Sequence, residues 1–308
     1  MSDMTVAVVC PTKDRPEFLE RMLESFANQT RRPDEVVIVD AGDGSAREMV
    51  ESFSNRLPIK YVHWTGVPAT TRQKNAGVEA LSRDAELVCF FDDDQTAYPD
   101  MIEKTLEFWK TAPDDQAGTG CSQVNYDPPV RSRWTEWWMR LGERLGLCSL
   151  KPGSVSRGGV HTLATRVDAD TDVEWLGGGR AFWRRRILDE FRFDESLVGY
   201  GFMEDADFSY GVSRKYRLTQ LAGAKFVHNR TMQARPSRYR FGRLETKNRI
   251  YFVRKHGLSM PACLAGIALR TARTFARGIV RRDRSLLARG AGNCVGVIAG
   301  LRRSERRT

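Results

Sequence analysis

Five consecutive apolar residues, Leu87 to Phe91, run directly into three acids, Asp92, Asp93 and Asp94. Carboxylates at the tip of a buried strand repel one another, and their desolvation is costly unless a cation joins them. Asp92 and Asp94, two residues apart, can converge on one divalent ion, with phosphate oxygens and water completing a hard-oxygen shell. A solvated acidic turn after a strand is the competing reading of the same letters. A second group of acids, Glu204-Asp205-Ala206-Asp207, opens a helical pattern that continues through Phe208, Val212 and Tyr216. Acids in a first helical turn complement the dipole; that explains one of them comfortably and three less well. Between the two groups, Trp175 to Gly179 places a bulky residue and three glycines before Arg180, and glycine permits close approach to the backbone.

The elements that must carry these residues alternate between strand and helix patterns. Thr5 to Cys10 reads as a buried strand, and Arg15-Pro16 opens a helix with Phe18, Leu19, Met22, Leu23 and Phe26 on one face. Val36 to Val39 is a second strand ending in Asp40, and Ile59 to His63 a third. A helix follows from about Pro68 to Leu81, Leu87 to Phe91 is a fourth strand, and Pro99 starts the next helix. Short strands separated by helices imply a mostly parallel sheet covered on both faces. Ligands of such sheets bind beyond the carboxyl ends of the strands, where Asp14, Asp40 and the acidic triplet all fall.

Composition narrows the classes. The chain has 308 residues, 41% hydrophobic and 29% charged, which fits a globular protein with a sizeable core. Six cysteines lack CxxC spacing, so reduced thiols in a cytosol are expected. The first residues do not read as a charged-then-apolar leader, and the longest apolar stretches are too short to span a bilayer. Of the net charge of +10, nearly all lies after residue 257, where eleven arginines face only Asp283 and Glu305. That distribution argues against a nucleic-acid-binding core and for a basic appendage.

The segments VAVVCPTKDRPEFLERMLESFANQT, VVIVDAGDGS, ATTRQKNAGV, FFDDD, WLGGGRAFWRRRIL and YGFMEDADFSYGVSRKYRL occur in an order that resembles glycosyltransferase family 2, over roughly residues 4 to 256. The resemblance implies a GT-A fold: α/β, with a Rossmann-like mixed, mostly parallel sheet flanked by helices. It implies an inverting transfer from a nucleotide-sugar donor to a hydroxyl acceptor, lipid-linked or polysaccharide, in cell-surface glycan biosynthesis. The alternatives are a nucleotide-sugar-binding protein without turnover and a nucleotidyltransferase on a similar sheet. By the same resemblance, Pro11 and Thr12 line the nucleotide pocket, Asp14 and Arg15 lie at its rim, and Asp40 accepts a hydrogen bond from the base. Arg72 or Lys74 neutralises the diphosphate, although a solvated helix face competes for Lys74. Asn75 and Gly77 pack and position the helix. The triplet corresponds to a metal-binding DxD: Asp94 is the direct ligand of Mn²⁺ or Mg²⁺, Asp92 contacts the ribose or a metal-bound water, and Asp93 faces solvent. His228, after a late strand, closes the shell, unless it is only a satisfied polar residue. Backbone N–H groups of Gly178 and Gly179 hold donor phosphate or sugar, and Arg180 departs from the neutral polar residue common there. Asp205 is the catalytic base, Glu204 holds the acceptor or the base, and Asp207 caps or salt-bridges within its helix.

The expected organisation is a glycosyltransferase domain over 1–257, with a nucleotide-binding half to about 125 and an acceptor half from 126, then a basic helical extension over 258–308. Trp134, Trp137, Trp138, Leu141 and Leu145 fall at helical spacing, more often a core stripe than a site, with Trp at a membrane interface as the competing reading. Residues 148–170 form a polar, Gly-rich loop that can order over the donor, with an ordinary surface excursion as the competing reading. In the extension, Arg270, Arg273, Arg277, Arg281 and Arg284 share an arc of about 80°, opposite Leu264, Ala268, Ala272, Phe275, Ile279 and Leu286. One basic amphipathic helix ending near Gly290 is expected to lie on an anionic membrane surface, making the protein cytoplasmic and peripheral on the inner face of the cell membrane. Docking on the catalytic domain is the competing reading.

Overall fold

The computed structural model describes residues 4–126, 133–198, 201–229 and 236–302. Two compact units divide the chain: Met1–Pro128 with Leu163–Thr231, and Pro129–Thr162 with Met232–Thr308. The second unit therefore begins well before the division expected at 257/258.

The first unit is a nine-stranded mixed sheet with helices on both faces. In chain order it holds β1 (Val6–Thr12), α1 (Pro16–Ala27), β2 (Glu35–Asp40), α2 (Arg47–Ser52), β3 (Ile59–His63), α3 (Thr70–Ala80), β4 (Leu87–Phe91), β5 (Gln95–Ala97), α4 (Met101–Trp109) and β6 (Gln116–Gln123). After the excursion into the second unit come β7 (Thr171–Val173), β8 (Arg180–Arg184), α6 (Arg185–Glu190), α7 (Glu204–Ser213) and β9 (Arg217–His228). The main path is β3-β2-β1-β4-β8-β6-β9-β5, with β7 beside β9. Strands β3, β2, β1 and β4 are mutually parallel, while β8 runs antiparallel between β4 and β6.

Alternation along the central strands explains their unbroken apolar runs. Val8, Cys10, Ile38, Cys89 and Phe91 enter one core layer. Their neighbours Val9, Val37, Val39, Val88 and Phe90 enter the other. Both faces are buried, so neither needs polar residues. Helix α3 lies close against β1: a Cβ on Gly77 would sit 2.3 Å from Val9 Cγ1. All six cysteines are free thiols, and Cys10, Cys89, Cys121 and Cys263 are buried.

The second unit contains α5 (Arg133–Arg144), α8 (Arg238–Lys255), α9 (Met260–Val280) and α10 (Arg284–Arg302). Gly292, Gly296 and Gly300 recur every fourth residue on α10 and let it approach α8 closely. A Cβ would stand 2.1 Å from Tyr239 O at Gly292 and 1.9 Å from Thr246 Oγ1 at Gly296. The one helix expected to run to Gly290 is thus two. Arg282 takes a left-handed φ of 52°, and Asp283 Oδ1 accepts from the backbone N–H of Ser285 and Leu286, capping the start of α10. The Trp stripe is not core as expected: Trp137 and Leu145 are exposed, while the side chains of Trp134 and Trp138 lie outside the described residues. The polar stretch after Cys148 carries its own short bridge, Val155 to His161.

Candidate active site

The carboxyl ends of β1, β2 and β4 and the amino end of antiparallel β8 share one edge of the sheet. Register places Thr12 beside Asp40, and Phe91 beside Arg180. Asp40 is buried, its Oδ1 accepting from Gly42 N (2.7 Å) and its Oδ2 from the Tyr61 hydroxyl (2.7 Å). These bonds fix the carboxylate and leave further lone pairs for a ligand donor. Burial, reinforced by Asp40, raises the Tyr61 pKa, so the phenol stays a donor. Gln73 Nε2 donates to both Thr12 O and Val39 O at 2.8 Å, tying the ends of β1 and β2 together. Tyr61 and Gln73 were not singled out from sequence; Gln73 sits inside the RQKNAG segment, whereas nothing in the Tyr61 pattern distinguishes it from an ordinary strand residue.

Asp14 is exposed, adopts a left-handed φ of 54° and pairs with Lys13. Arg15 turns toward the triplet: its Nη1 lies 3.1 Å from Asp93 Oδ1 and 3.7 Å from Asp94 Oδ2. Asp93 is only 5% exposed and also accepts from Thr12 Oγ1 at 2.8 Å, which corrects the solvent-facing assignment. Alternation along the chain after β4 turns the middle acid inward, and burial pushes its pKa to about 6 against the pull of Arg15 and Thr12. Burial also raises the Asp92 carboxyl, with Lys74 opposing.

Asp94 Oδ1 lies 3.4 Å from His228 Nε2. Asn125 fixes the backbone of His228, donating to its carbonyl and accepting its N–H. Two cis ligands of an ion at about 2.1 Å would be about 3 Å apart, so a carboxylate and an imidazole at 3.4 Å fit one divalent cation. Among the described residues, no group of three or more His, Cys, Asp or Glu converges as a metal cage. A shell here would be completed by ligand oxygens and water.

Three consecutive glycines hold the two acidic groups together. A Cβ on Gly179 would overlap the Asp92 carboxylate at 1.9 Å, one on Gly178 would stand 2.7 Å from Lys74 Nζ and 2.8 Å from Asp205 Cβ, and one on Gly177 would stand 2.7 Å from Arg180 Nε. The glycines make room for the chain's own charged side chains. Gly178 N–H donates to Asp205 Oδ2 at 3.2 Å, so that N–H is engaged within the protein rather than open to a donor as expected.

Lys74 is not on a solvated face. It is 1% exposed, donates to Glu204 Oε1 at 2.8 Å and to Gly178 O at 3.2 Å. Burial opposes its charge, but Glu204, Asp92 and Asp205 outweigh that and raise its pKa. Glu204 is buried with Oε2 unpartnered, and burial lifts its pKa to about 7, with Lys74 opposing. Helix α7 is aimed by Met203, whose φ of 73° is unusual for a non-glycine residue. Tyr200, at the head of the same motif, lies outside the described residues. Asp207 is buried, and no side chain caps α7. Arg72 is not brought to the triplet; its Nε lies 3.7 Å from Glu195. Asn75 pins the backbone of Phe193, donating to its carbonyl and accepting its N–H, a positioning role. Arg180 is 5% exposed, and burial lowers its pKa to about 10, opposed by Asp205, Cys121 and Asp92.

Comparisons with known proteins agree with this arrangement. Residues 7–170, which include the triplet but not the α7 acids, match the model of glycosyl transferase family 2. The chain is 34% identical over 227 residues to the uncharacterized glycosyltransferase YwdF of Bacillus subtilis, covering 73% of this chain and 74% of that protein. It is 32% identical over 127 residues to validoxylamine A glucosyltransferase of Streptomyces hygroscopicus, covering 40% of this chain but only 27% of the relative's length. Among solved structures, the mannosyltransferase PcManGT of Pyrobaculum calidifontis, in complex with GDP-Man and Mn²⁺, shares the fold at a TM-score of 0.57 and 14% identity, over 99% of this chain and 89% of that one. S. aureus TarS 1-349, in complex with UDP-GlcNAc, does so at 0.55 and 17%, over 81% and 66%. The sheet is the mixed, largely parallel GT-A sheet expected from sequence, and the chain belongs to glycosyl transferase family 2.

Proposed function

We propose that this chain transfers a sugar from a nucleoside diphosphate donor to a hydroxyl acceptor, with inversion, in glycan assembly. The observation that carries the reading is the glycine turn at 177–179, which sets the acids after β4 and the acids opening α7 against one short stretch of backbone. Thr12 and Asp40 would receive the nucleoside. Asp94 and His228 would hold Mn²⁺ or Mg²⁺, with Asp92 beside them; the ion, when bound, supplies Lewis-acid stabilisation of the departing diphosphate. Asp205, its Oδ2 accepting from the Gly178 N–H and its Oδ1 from the Ala206 N–H, is partly open to solvent and would take the acceptor hydroxyl proton as the hydroxyl oxygen attacks the anomeric carbon. Lys74 would keep Glu204 in place beneath it.

Asp205→Asn tests this directly. Transfer should fall by about 10²–10⁴-fold with donor binding nearly intact. Unchanged turnover would remove Asp205 as base; binding without wild-type turnover would favour a sugar-nucleotide-binding protein, and consumption of a nucleoside triphosphate with pyrophosphate release a nucleotidyltransferase.

The second unit supports peripheral attachment to an anionic membrane, with a lipid-linked acceptor. No described helix is long and apolar enough to cross a membrane. The tip between α9 and α10 carries Ile279 and Val280, 67% and 83% exposed, beside exposed Arg277, Arg281, Arg282 and Arg284. Apolar tips flanked by arginines suit an interfacial site. Arg270 departs from the expected stripe because it pairs with Glu245. Ile279→Ser with Val280→Ser should release the protein from anionic vesicles; equal retention of wild type and variant sinks the reading.

A further inference from the structure

Arg180 is a buried cation that, among the described residues, has no counter-ion in contact. Among the described residues, its guanidinium makes no hydrogen bond and no ion pair within 4 Å, and its Nη2 is fully enclosed and unpartnered. Its stem is fixed on two sides: Nε packs where a Gly177 side chain would be, and the guanidinium carbon stands 5.5 Å from the centre of the Phe226 ring. An unpaired buried guanidinium is costly, so the fold retains it at a loss unless something anionic arrives. Asp92 and Asp205 influence it from a distance, yet neither reaches it, and Lys74 already occupies Glu204.

Position along the sheet identifies the anion. Asp40 ends β2, Thr12 ends β1, the triplet follows β4, and Arg180 starts β8 on the next strand. From β2 to β8 is three strand spacings, about 14 Å, comparable to an extended nucleoside diphosphate with its base at Asp40. We infer that Arg180 is a donor-diphosphate residue: its guanidinium grips the distal phosphate and holds that group as the nucleoside diphosphate departs. The inference rests on the donor reading above and adds to it a second positive contact, built into the strand, that does not depend on the divalent ion. A guanidinium offers two parallel N–H donors to a phosphate, which an ammonium does not.

The test compares binding of UDP with UMP, and of GDP with GMP, by the full-length protein with Mn²⁺ and with chelator, for wild type, Arg180→Met and Arg180→Lys. Wild type should prefer one diphosphate over its monophosphate and keep part of that preference in chelator. Arg180→Met should bind the diphosphate about 10–100-fold more weakly, the range for hydrogen bonds to charged groups, and the monophosphate within about twofold of wild type. Its ligand-free melting temperature should be unchanged or higher, because an unpaired buried charge is gone. Arg180→Lys, which keeps charge and fold, should lose most of the preference. Diphosphate binding by Arg180→Met or Arg180→Lys equal to wild type, or an equal loss for mono- and diphosphate, overturns the inference while leaving the donor reading standing. If wild type binds neither UDP nor GDP, the donor reading fails and this inference with it.

Discussion

Two clusters of buried charge, one in each unit, are built on opposite principles. In the second unit Glu245, 3% exposed on α8, receives Arg270 Nη1 of α9 at 2.6 Å and Arg289 Nη2 of α10 at 2.8 Å, with Arg249 Nη2 at 3.7 Å. Burial would raise its pKa, but Arg270, Arg249 and Arg289 outweigh that and lower it. This carboxylate is saturated and ties three helices. In the first unit, burial raises Asp92, Asp93 and Glu204 from their ordinary carboxylate values, and among the described residues neither Glu204 Oε2 nor Arg180 Nη2 has a hydrogen-bond partner. Buried polar groups are normally satisfied, and exceptions call for a ligand or strain. Equal burial therefore means different things: the saturated cluster holds helices together, and the unsaturated one is poised to receive charge.

The largest expected effect breaks the unsaturated cluster. Asp94→Ala should lower Mn²⁺-supported transfer by more than about 100-fold and abolish the metal-dependent part of donor binding, whereas His228→Ala should weaken it less. Donor affinity that is the same in chelator and in Mn²⁺ for the wild type contradicts the metal assignment. Next comes the saturated cluster. Glu245→Leu leaves three arginines gathered without their acid and should cost about 3 kcal/mol in chemical denaturation, with donor binding unchanged at temperatures where the variant is folded. Replacing Glu245, Arg270 and Arg289 together by Leu, Met and Met should recover most of that loss. A triple variant as unstable as the single one would mean the cluster does more than hold helices.

The smallest effect is a pH slope. Burial raises Glu204 from 4.5 to about 7, so between those values the folded chain keeps a proton that the unfolded chain has released. Its contribution to stability is full below about pH 4.5 and is lost as pH rises through 7. Relative to Glu204→Gln, the wild type should therefore lose stability from pH 5 toward pH 8, visible as a melting-temperature gap of a few degrees. A gap that moves the other way would show Lys74 to be the stronger influence on Glu204.

Much of the first unit was legible in the sequence because its local patterns agree with its tertiary environment. Leu87 to Phe91 and Ile59 to His63 are strands to the residue, and Pro16 opens α1 as expected. Lys74 was harder: nothing local distinguishes a lysine on a wet helix face from one that meets a glutamate 130 positions later. Asp93 was misplaced because the acidic triplet looks solvated until Thr12 and Arg15 close over its middle member. The antiparallel β8 depends on non-local pairing with β4 and β6. In the second unit, the arginine arc is real as periodicity, but Asp283, which the sequence shows only as a charge, is the cap that splits one helix into two. The every-fourth glycines of α10 carry the packing on α8, a close approach that depends on the partner helix rather than on local pattern.

Amide hydrogen exchange on the full-length protein, with and without UDP-GlcNAc or GDP-mannose in the presence of Mn²⁺, tests the contrast between the clusters most directly. With the donor it uses, protection should rise at residues 177–180 and 204–206 and around Asp94, while residues 242–250 around Glu245 stay unchanged. No added protection at the glycine turn with either donor, or protection confined to the Glu245 helices, would contradict the assignment of the unsaturated cluster as the donor site.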